Sequence, residues 1–307
     1  MIIPRIDARA LFDVRHVRRT ETLEQVEEAV TDIGFMTVSH TGITPEAVRE
    51  VLATYHAFFT LPDERKRAVN MAQTGSNRGW GAPGAEQVDP AANPDYKQVF
   101  DSGAELSPDD PLARMTYYAP NRWPVEPDGF RRTITRYYER ATRVSLQLLS
   151  AVATAIGEPA DHFEQAFDRP MALLRGNHYP PRPADAGSAD HGIAPHTDYG
   201  CLTLLATDGS PGLEVQGRDR TWMPVTAEPG VFVVNFGEML ETWSGGRVVA
   251  TPHRVIGTAH ERLSVPFFFN PRFDVDVAPI GSAVPLLAGD HLGRRYDETY
   301  THRQAAR

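Results

Sequence analysis

His196, Asp198, His253, Arg262 and Ser264 are the side chains of this sequence whose types and spacing are best suited to chemistry. His196 and Asp198 flank a single threonine at the start of an apolar stretch, "APHTDYGCLTLLATD" (194–208). Residues two apart on a strand project to the same face, so this spacing directs an imidazole and a carboxylate toward one point. A metal needs a third donor, and His253 in "ATPHRVIG" is the best placed, far along the chain and flanked by β-forming residues. Two histidines and one carboxylate on one face of an octahedral ion leave three positions open, which lets dioxygen and a reductant bind side by side. Further on, in "ERLSVPFFFNP", Arg262 and Ser264 are again two apart within an apolar segment. An arginine turned into a barrel interior needs an anion, and its fork matches a carboxylate; an internal salt bridge is the competing account.

These residues lie in the part of the chain that reads as short strands. From residue 171 onward, "MALLRGNHY", "CLTLLATD", "LEVQ", "WMPV", "VFVVNFG", "RVVATPHRVIG" and "LSVPFFFN" alternate with Gly/Pro turn signals, the texture of a sandwich or barrel. Upstream, "FRRTITRYYERATRVSLQLLSAVATAI" (130–156) repeats apolar residues at helical spacing and stops at Gly157 with Pro159 beyond. Helical patterning also covers residues 20–59, interrupted by the β-rich "GFMTVSH", with Thr44 as N-cap and Pro45 in the first turn of a second helix. Residues 75–129 are dense in Gly, Pro, Asp and Asn, with one strand at "YKQVF", and read as a loop-rich excursion able to close over a site. The expected organisation is one domain over 1–307: a helical and loop region (1–130), a long supporting helix (131–157), a β core (171–280) and a C-terminal tail (281–307).

Composition narrows the function classes. A net charge of -9 with no Lys/Arg-rich segment gives no electrostatic footprint for nucleic acid. No stretch approaches the ~20 apolar residues of a membrane span, and "MIIPRIDARALFDV" lacks the unbroken apolar centre of a signal peptide. The single cysteine, Cys201, reads as a small buried apolar residue. The expectation is a cytoplasmic protein acting on a small molecule, its oligomeric state not legible.

The motifs occur in a recognisable order. "NHYPP" (177–181), "PHTDYG" (195–200), "NFGEMLETWSGGRVVATPHRV" (235–255) and "ERLSVPFFFNP" (261–271) resemble the successive signatures of the isopenicillin N synthase-like family of Fe(II)/2-oxoglutarate-dependent dioxygenases. In the N-terminal half, "IPRID" (3–7), "IGFMTVSHTGI" (33–43), "FFTLPDERK" (58–66), "YKQVFDSG" (96–103) and "NRWP" (121–124) follow the same family order, so the resemblance covers nearly the whole chain. It implies a mainly β fold, a double-stranded β-helix (a cupin-like jelly roll) buttressed by N-terminal helices. It also implies iron ligation by His196, Asp198 and His253, with Arg262 and Ser264 on the distal carboxylate of 2-oxoglutarate and Asn177 and Tyr179 lining the co-substrate pocket. His178 departs from the family, where tyrosine or arginine is common at this position.

The implied cofactors are Fe(II), 2-oxoglutarate and dioxygen. The implied reaction is oxidation of an unactivated C–H by hydroxylation, desaturation or cyclisation, in secondary metabolism such as antibiotic biosynthesis. Arg78, Phe100 and Phe269 are candidate substrate contacts, with Trp80 and Lys97 on the same excursion, and Glu238 is a candidate for orienting a ligand histidine. Two alternatives remain: an oxidase that uses Arg262 and Ser264 to hold its own substrate and needs no 2-oxoglutarate, and a non-catalytic metabolite-binding jelly roll. A hydrolytic zinc enzyme fits less well, because no general base accompanies the triad.

Overall fold

The structure is a computed structural model that describes residues 2–74, 77–86, 95–182, 191–279 and 282–299. Twelve strands among the described residues form two sheets. They are β1 (Arg5–Asp7), β2 (Phe35–Ser39), β3 (Gly79–Gly81), β4 (Gln98–Gly103), β5 (Leu173–Tyr179), β6 (Ile193–His196), β7 (Leu202–Thr207), β8 (Leu213–Gln216), β9 (Trp222–Pro224), β10 (Phe232–Phe236), β11 (His253–Val255) and β12 (Arg262–Phe269). The larger sheet runs β1-β2-β10-β7-β12-β5-β4-β3 and the smaller β6-β11-β8-β9. Antiparallel neighbours that are distant in sequence, such as β12 between β5 and β7, are the mark of a jelly roll. The N-terminal strands β1 to β4 extend the larger sheet at both edges, so the first hundred residues share the core's hydrogen-bond network.

The helices cover the outer face of the larger sheet. Thr44 caps the helix Pro45–Phe59, its Oγ1 accepting from the Ala47 amide, and Pro45 occupies the first turn, where its missing N–H costs nothing. That helix buries Val48, Val51, Tyr55, Phe58 and Phe59 on one face. The long helix Phe130–Ala155 buries Ile134, Tyr137, Ala141, Val144, Leu148 and Val152 and rests Tyr138 edge-on against Phe267 of β12 at 5.1 Å. It ends before Gly157, which takes a φ of 82° that a side chain would strain. Phe58, Phe100 and Phe130 meet with ring centroids 4.9 to 5.4 Å apart. Burying each such ring stabilises the fold by roughly 1.5–3 kcal/mol, which fixes helices to sheet.

A second, smaller apolar cluster, including Phe35, Tyr179, Leu213, Val215, Val233 and Val255, fills the space between the two sheets. The segment expected as a tail differs. Residues Ala288–Thr299 form a helix held by buried Ala288 and Leu292. No helix among the described residues is long and apolar enough to cross a membrane.

Candidate functional site

β6 and β11 are antiparallel neighbours in the smaller sheet, and their register sets His196 directly opposite His253. The ring centroids are 4.3 Å apart. Each imidazole is oriented from behind: Ala194 O lies 2.8 Å from His196 Nδ1, and Thr251 O lies 3.2 Å from His253 Nδ1. A carbonyl oxygen only accepts, so both Nδ1 atoms carry the proton and both Nε2 lone pairs face forward. Burial first, and then the neighbouring His253, hold His196 well below its ordinary pKa, which keeps the ring neutral.

Asp198 completes the group by a route that strand alternation did not anticipate. β6 ends at His196, so Asp198 lies in the loop beyond it, and its position is set by the facing sheet. Thr203 Oγ1 on β7 donates to Asp198 Oδ2 at 2.5 Å and Asn235 Nδ2 on β10 donates to the same oxygen at 2.7 Å. Oδ1 is left to point at the histidines, 3.8 Å from His196 Nε2 and 3.7 Å from His253 Nε2. Although burial pushes the carboxyl up, the two histidines and these two hydrogen bonds bring its pKa down overall. One donor atom from each of the three residues lies within 4.8 Å of the others. Two imidazole lone pairs and one carboxylate oxygen with its other oxygen occupied form a donor set that fits a divalent iron.

Two cavities meet at this triad and share Asn177, Ile193, His196, Asp198 and Phe268. The first, of about 470 Å³, runs between the sheets and is lined by Tyr179, Arg262, Ser264 and His253. β12 pairs with β5 so that Arg262 faces Tyr179 and Ser264 faces Asn177. Asn177 Nδ2 donates to Ser264 Oγ at 3.3 Å, and Arg262 lies over the Tyr179 ring at 5.0 Å. Arg262 is buried, yet its Nε and Nη1 meet no acceptor, and neither does Asn177 Oδ1 meet a donor. A buried guanidinium without a counter-ion is costly, and a dicarboxylate entering this cavity would supply one. The second cavity, of about 690 Å³, is lined by Glu86, Lys97, Leu173, Arg175, Tyr199, Phe268 and Leu292, among others.

Three expected substrate contacts lie elsewhere. On β12, Arg262, Ser264 and Phe268 share one face, so period-two geometry turns Phe269 to the opposite one, where it stacks on Phe167 and Phe267 at 4.6 and 5.6 Å. Phe268 takes its place in both cavities. Phe100 points into the helix-facing core against Phe58 and Phe130. The Arg78 guanidinium packs over Gly103 and donates to Tyr117 O at 2.5 Å, an anchor of the excursion. Trp80 Nε1 donates to Gln98 Oε1, whereas Lys97 lines the second cavity. Residues 75–76 and 87–94 of the expected lid fall outside the described residues.

The remaining candidates also resolve. His178 bridges Gln98 and Glu261, away from the triad. The Cys201 thiol is buried and pushed far up by burial. Glu238 orients no histidine; it accepts from Thr197 Oγ1 at 2.5 Å and pairs with Arg295 at 3.0 Å. Sequence reading passed over Arg175, Thr203 and Asn235. Thr203 and Asn235 are polar residues set among apolar neighbours in their strands, and Arg175 precedes Asn177 by two on the same face of β5.

Known proteins with the same plan were found by sequence and by structure. Residues 3–126 match the family described as the non-haem dioxygenase in morphine synthesis N-terminal domain, and residues 170–271 match the 2OG-Fe(II) oxygenase superfamily. The 2-oxoglutarate-dependent dioxygenase traH of Penicillium crustosum is 32% identical over 89% of this chain and 85% of its own length. A full-length Neurospora crassa protein solved in complex with alpha-KG and thymine superposes with a TM-score of 0.84 at 26% identity, covering 97% of each chain. The rice dioxygenase for auxin oxidation superposes with a TM-score of 0.76 at 27% identity, covering 97% of this chain and 96% of the other.

Proposed function

This chain belongs to the 2OG-Fe(II) oxygenase superfamily and is a non-haem Fe(II)- and 2-oxoglutarate-dependent dioxygenase, and from that premise we propose how its residues divide the work. His196, Asp198 and His253 hold the iron, and Arg262 with Ser264 grips the distal carboxylate of 2-oxoglutarate. When bound, the iron with its co-substrate and dioxygen supplies oxidative decarboxylation coupled to oxidation of a substrate C–H. The protein's own part is placement. Ala194 and Thr251 fix the imidazole tautomers, while Thr203 and Asn235 hold Asp198 so that one oxygen alone faces the site. The apolar residues between the sheets, Phe35, Leu213 and Val255, keep water from the co-substrate.

The single observation that carries the co-substrate assignment is buried Arg262 with two nitrogens unpaired, in a cavity continuous with the triad. It supports use of 2-oxoglutarate over an oxidase that would anchor its own substrate there, because a second, larger cavity meets the same triad and offers a separate place for substrate. The substrate proposed for that larger cavity is a small molecule; the Neurospora crassa protein was solved in complex with one, thymine, together with alpha-KG. The reading is tested by following succinate release from the purified chain with Fe(II), 2-oxoglutarate and air. Release that requires both additions and disappears in Asp198→Ala supports it; oxygen uptake with no need for 2-oxoglutarate would overturn it.

A further inference from the structure

A ladder of five charged side chains builds one wall of the 690 Å³ cavity. Lys97 Nζ donates to Asp95 Oδ2 at 2.6 Å and lies 3.0 Å from Glu86 Oε2. Arg175 Nη1 donates to Glu86 Oε2 at 3.0 Å, while its Nε and Nη2 clamp Asp101 at 2.7 and 2.6 Å. All five residues are more than nine-tenths buried. Burial pushes Glu86 up, but Arg175 and Lys97 together bring its carboxyl down to about 2, so it is charged. Burial pushes the Asp101 carboxyl up, opposed by Arg175 and, on the far side, by the Arg78 guanidinium packed over Gly103; burial pushes Asp95 up as well, opposed by Lys97. Among the described residues, three cations, Lys97, Arg175 and Arg78, thus pack among three carboxyl groups, Asp95, Glu86 and Asp101.

Only the middle of the ladder, Lys97, Glu86 and Arg175, lines the cavity. A carboxylate approaching Lys97 meets Glu86 beside it, and an ammonium approaching Glu86 meets a cation on either side. Neither ion regains from this wall what it loses on leaving water. Hydrogen-bonding capacity remains, however. Lys97 has three donors and two acceptors among its ladder partners, and Glu86 Oε1, though 2.8 Å from Arg175 Nη2, receives no aligned hydrogen bond. Beside them the lining is apolar: Leu173 precedes Arg175 by two on β5 and pairs with Phe268 of β12, and Ile193 lines the same cavity.

We propose that the substrate is an uncharged molecule whose polar edge sets a hydrogen-bond acceptor on Lys97 beside a donor on Glu86, as an amide, lactam or imide edge does, with an apolar body against Leu173, Ile193 and Phe268. This deepens the oxygenase reading and rests on it for the identity of the cavity. Lys97 and Glu86 then set specificity, and Arg175 is a positioning residue that holds Glu86 from behind.

The test measures binding rather than turnover. The full chain is loaded anaerobically with Fe(II) and 2-oxoglutarate and titrated calorimetrically with caprolactam, cyclohexanecarboxylate and cyclohexylammonium, three heads on similar apolar bodies. The lactam is expected to bind at least about tenfold more tightly than either ion, a difference of about 1.4 kcal/mol. Either ion binding as tightly as the lactam, or no lactam binding at millimolar concentration, overturns the proposal. Glu86→Gln removes one negative charge from the wall and is expected to shift the preference at least about tenfold toward the carboxylate; an unchanged ranking and ratio in the folded variant overturns it too. Should that variant fail to fold, the wild-type comparison decides. Succinate release in air is scored separately, so loss of the oxygenase reading is told apart from loss of this one.

Discussion

His196 and His253 face each other across β6 and β11 with ring centroids 4.3 Å apart, and both offer a bare Nε2 to the same point. His196 is held neutral by its surroundings, and the metal-free protein should show it in its pH dependence. Burial and then His253 hold His196 well below the ordinary histidine value of about 6.5. As pH falls below about 6.5, the unfolded chain takes up a proton that the folded chain refuses, so stability present above that pH is progressively lost on acidification. Urea unfolding of the metal-free protein between pH 7 and 5 should therefore have a steeper pH slope than that of His196→Asn, by up to about 1.4 kcal/mol per pH unit. Equal slopes would show that His196 takes up its proton in the folded state.

Arg262 gives a prediction of opposite sign for the two states of the protein. Without an anion it is a buried cation with Nε and Nη1 unpaired, lying on the Tyr179 ring. Arg262→Met should leave the melting temperature of the ligand-free chain unchanged or raise it, because an uncompensated charge is removed. The same change should raise the 2-oxoglutarate KM by about 30-fold or more and abolish the melting shift that 2-oxoglutarate induces in the wild type. A variant destabilised without ligand, with an unaltered 2-oxoglutarate response, would place the arginine in a purely structural role.

The sequence made the donor types legible because His, Asp, His and the Arg/Ser pair stand out within apolar runs. Their geometry was only partly legible. Counting by twos along β12 places Arg262 and Ser264 together and also excludes Phe269 in favour of Phe268. The same count along β5 brings Arg175 to the face of Asn177 and Tyr179. Asp198 was different, since β6 stops before it, and what aims its carboxylate is Thr203 and Asn235 from the other sheet. Pairings between distant strands have no local signature. Nor does the helix Ala288–Thr299, whose attachment rests on few apolar residues, Ala288 and Leu292 among them, in a polar segment.

That helix is wired to the metal loop through Glu238. Glu238 Oε1 accepts from Thr197, the residue between two ligands, and pairs with Arg295 of the helix at 3.0 Å. Arg295 also lies 4.3 Å over the Tyr199 ring, and His291 Nε2 donates to Tyr199 O at 2.9 Å. Since the helix brings Leu292 to the larger cavity, its docking bears on substrate more than on 2-oxoglutarate. Glu238→Ala removes charge-assisted bonds of about 1.5–3 kcal/mol. Amide exchange across residues 288–299 should accelerate by about tenfold or more, and the KM for substrate should rise while that for 2-oxoglutarate holds. Unchanged exchange in this helix would mean that its other contacts suffice.

Gly237 tests whether the loop carrying Asp198 has any freedom. Its φ of −111° suits any residue, so the constraint is space and not backbone strain. A Cβ there would lie 2.4 Å from Gly200 O and 2.5 Å from Asp198 O, both main-chain atoms that no rotamer change can move aside. The same two strands of chain are already joined by Glu238 N donating to Asp198 O at 2.8 Å and Gly237 N donating to Cys201 O at 3.1 Å. Gly237→Ala must therefore push the 198–200 loop away from β10, and with it the carboxylate that Asn235 and Thr203 aim. The expected cost is about 1–3 kcal/mol of stability, with iron affinity falling about 10- to 100-fold as after loss of a ligand's supporting bonds. Iron titration of the folded variant separates the two effects: destabilisation with undiminished iron affinity would show that Asp198 keeps its aim when the loop moves, and that Thr203 and Asn235 alone suffice to hold it.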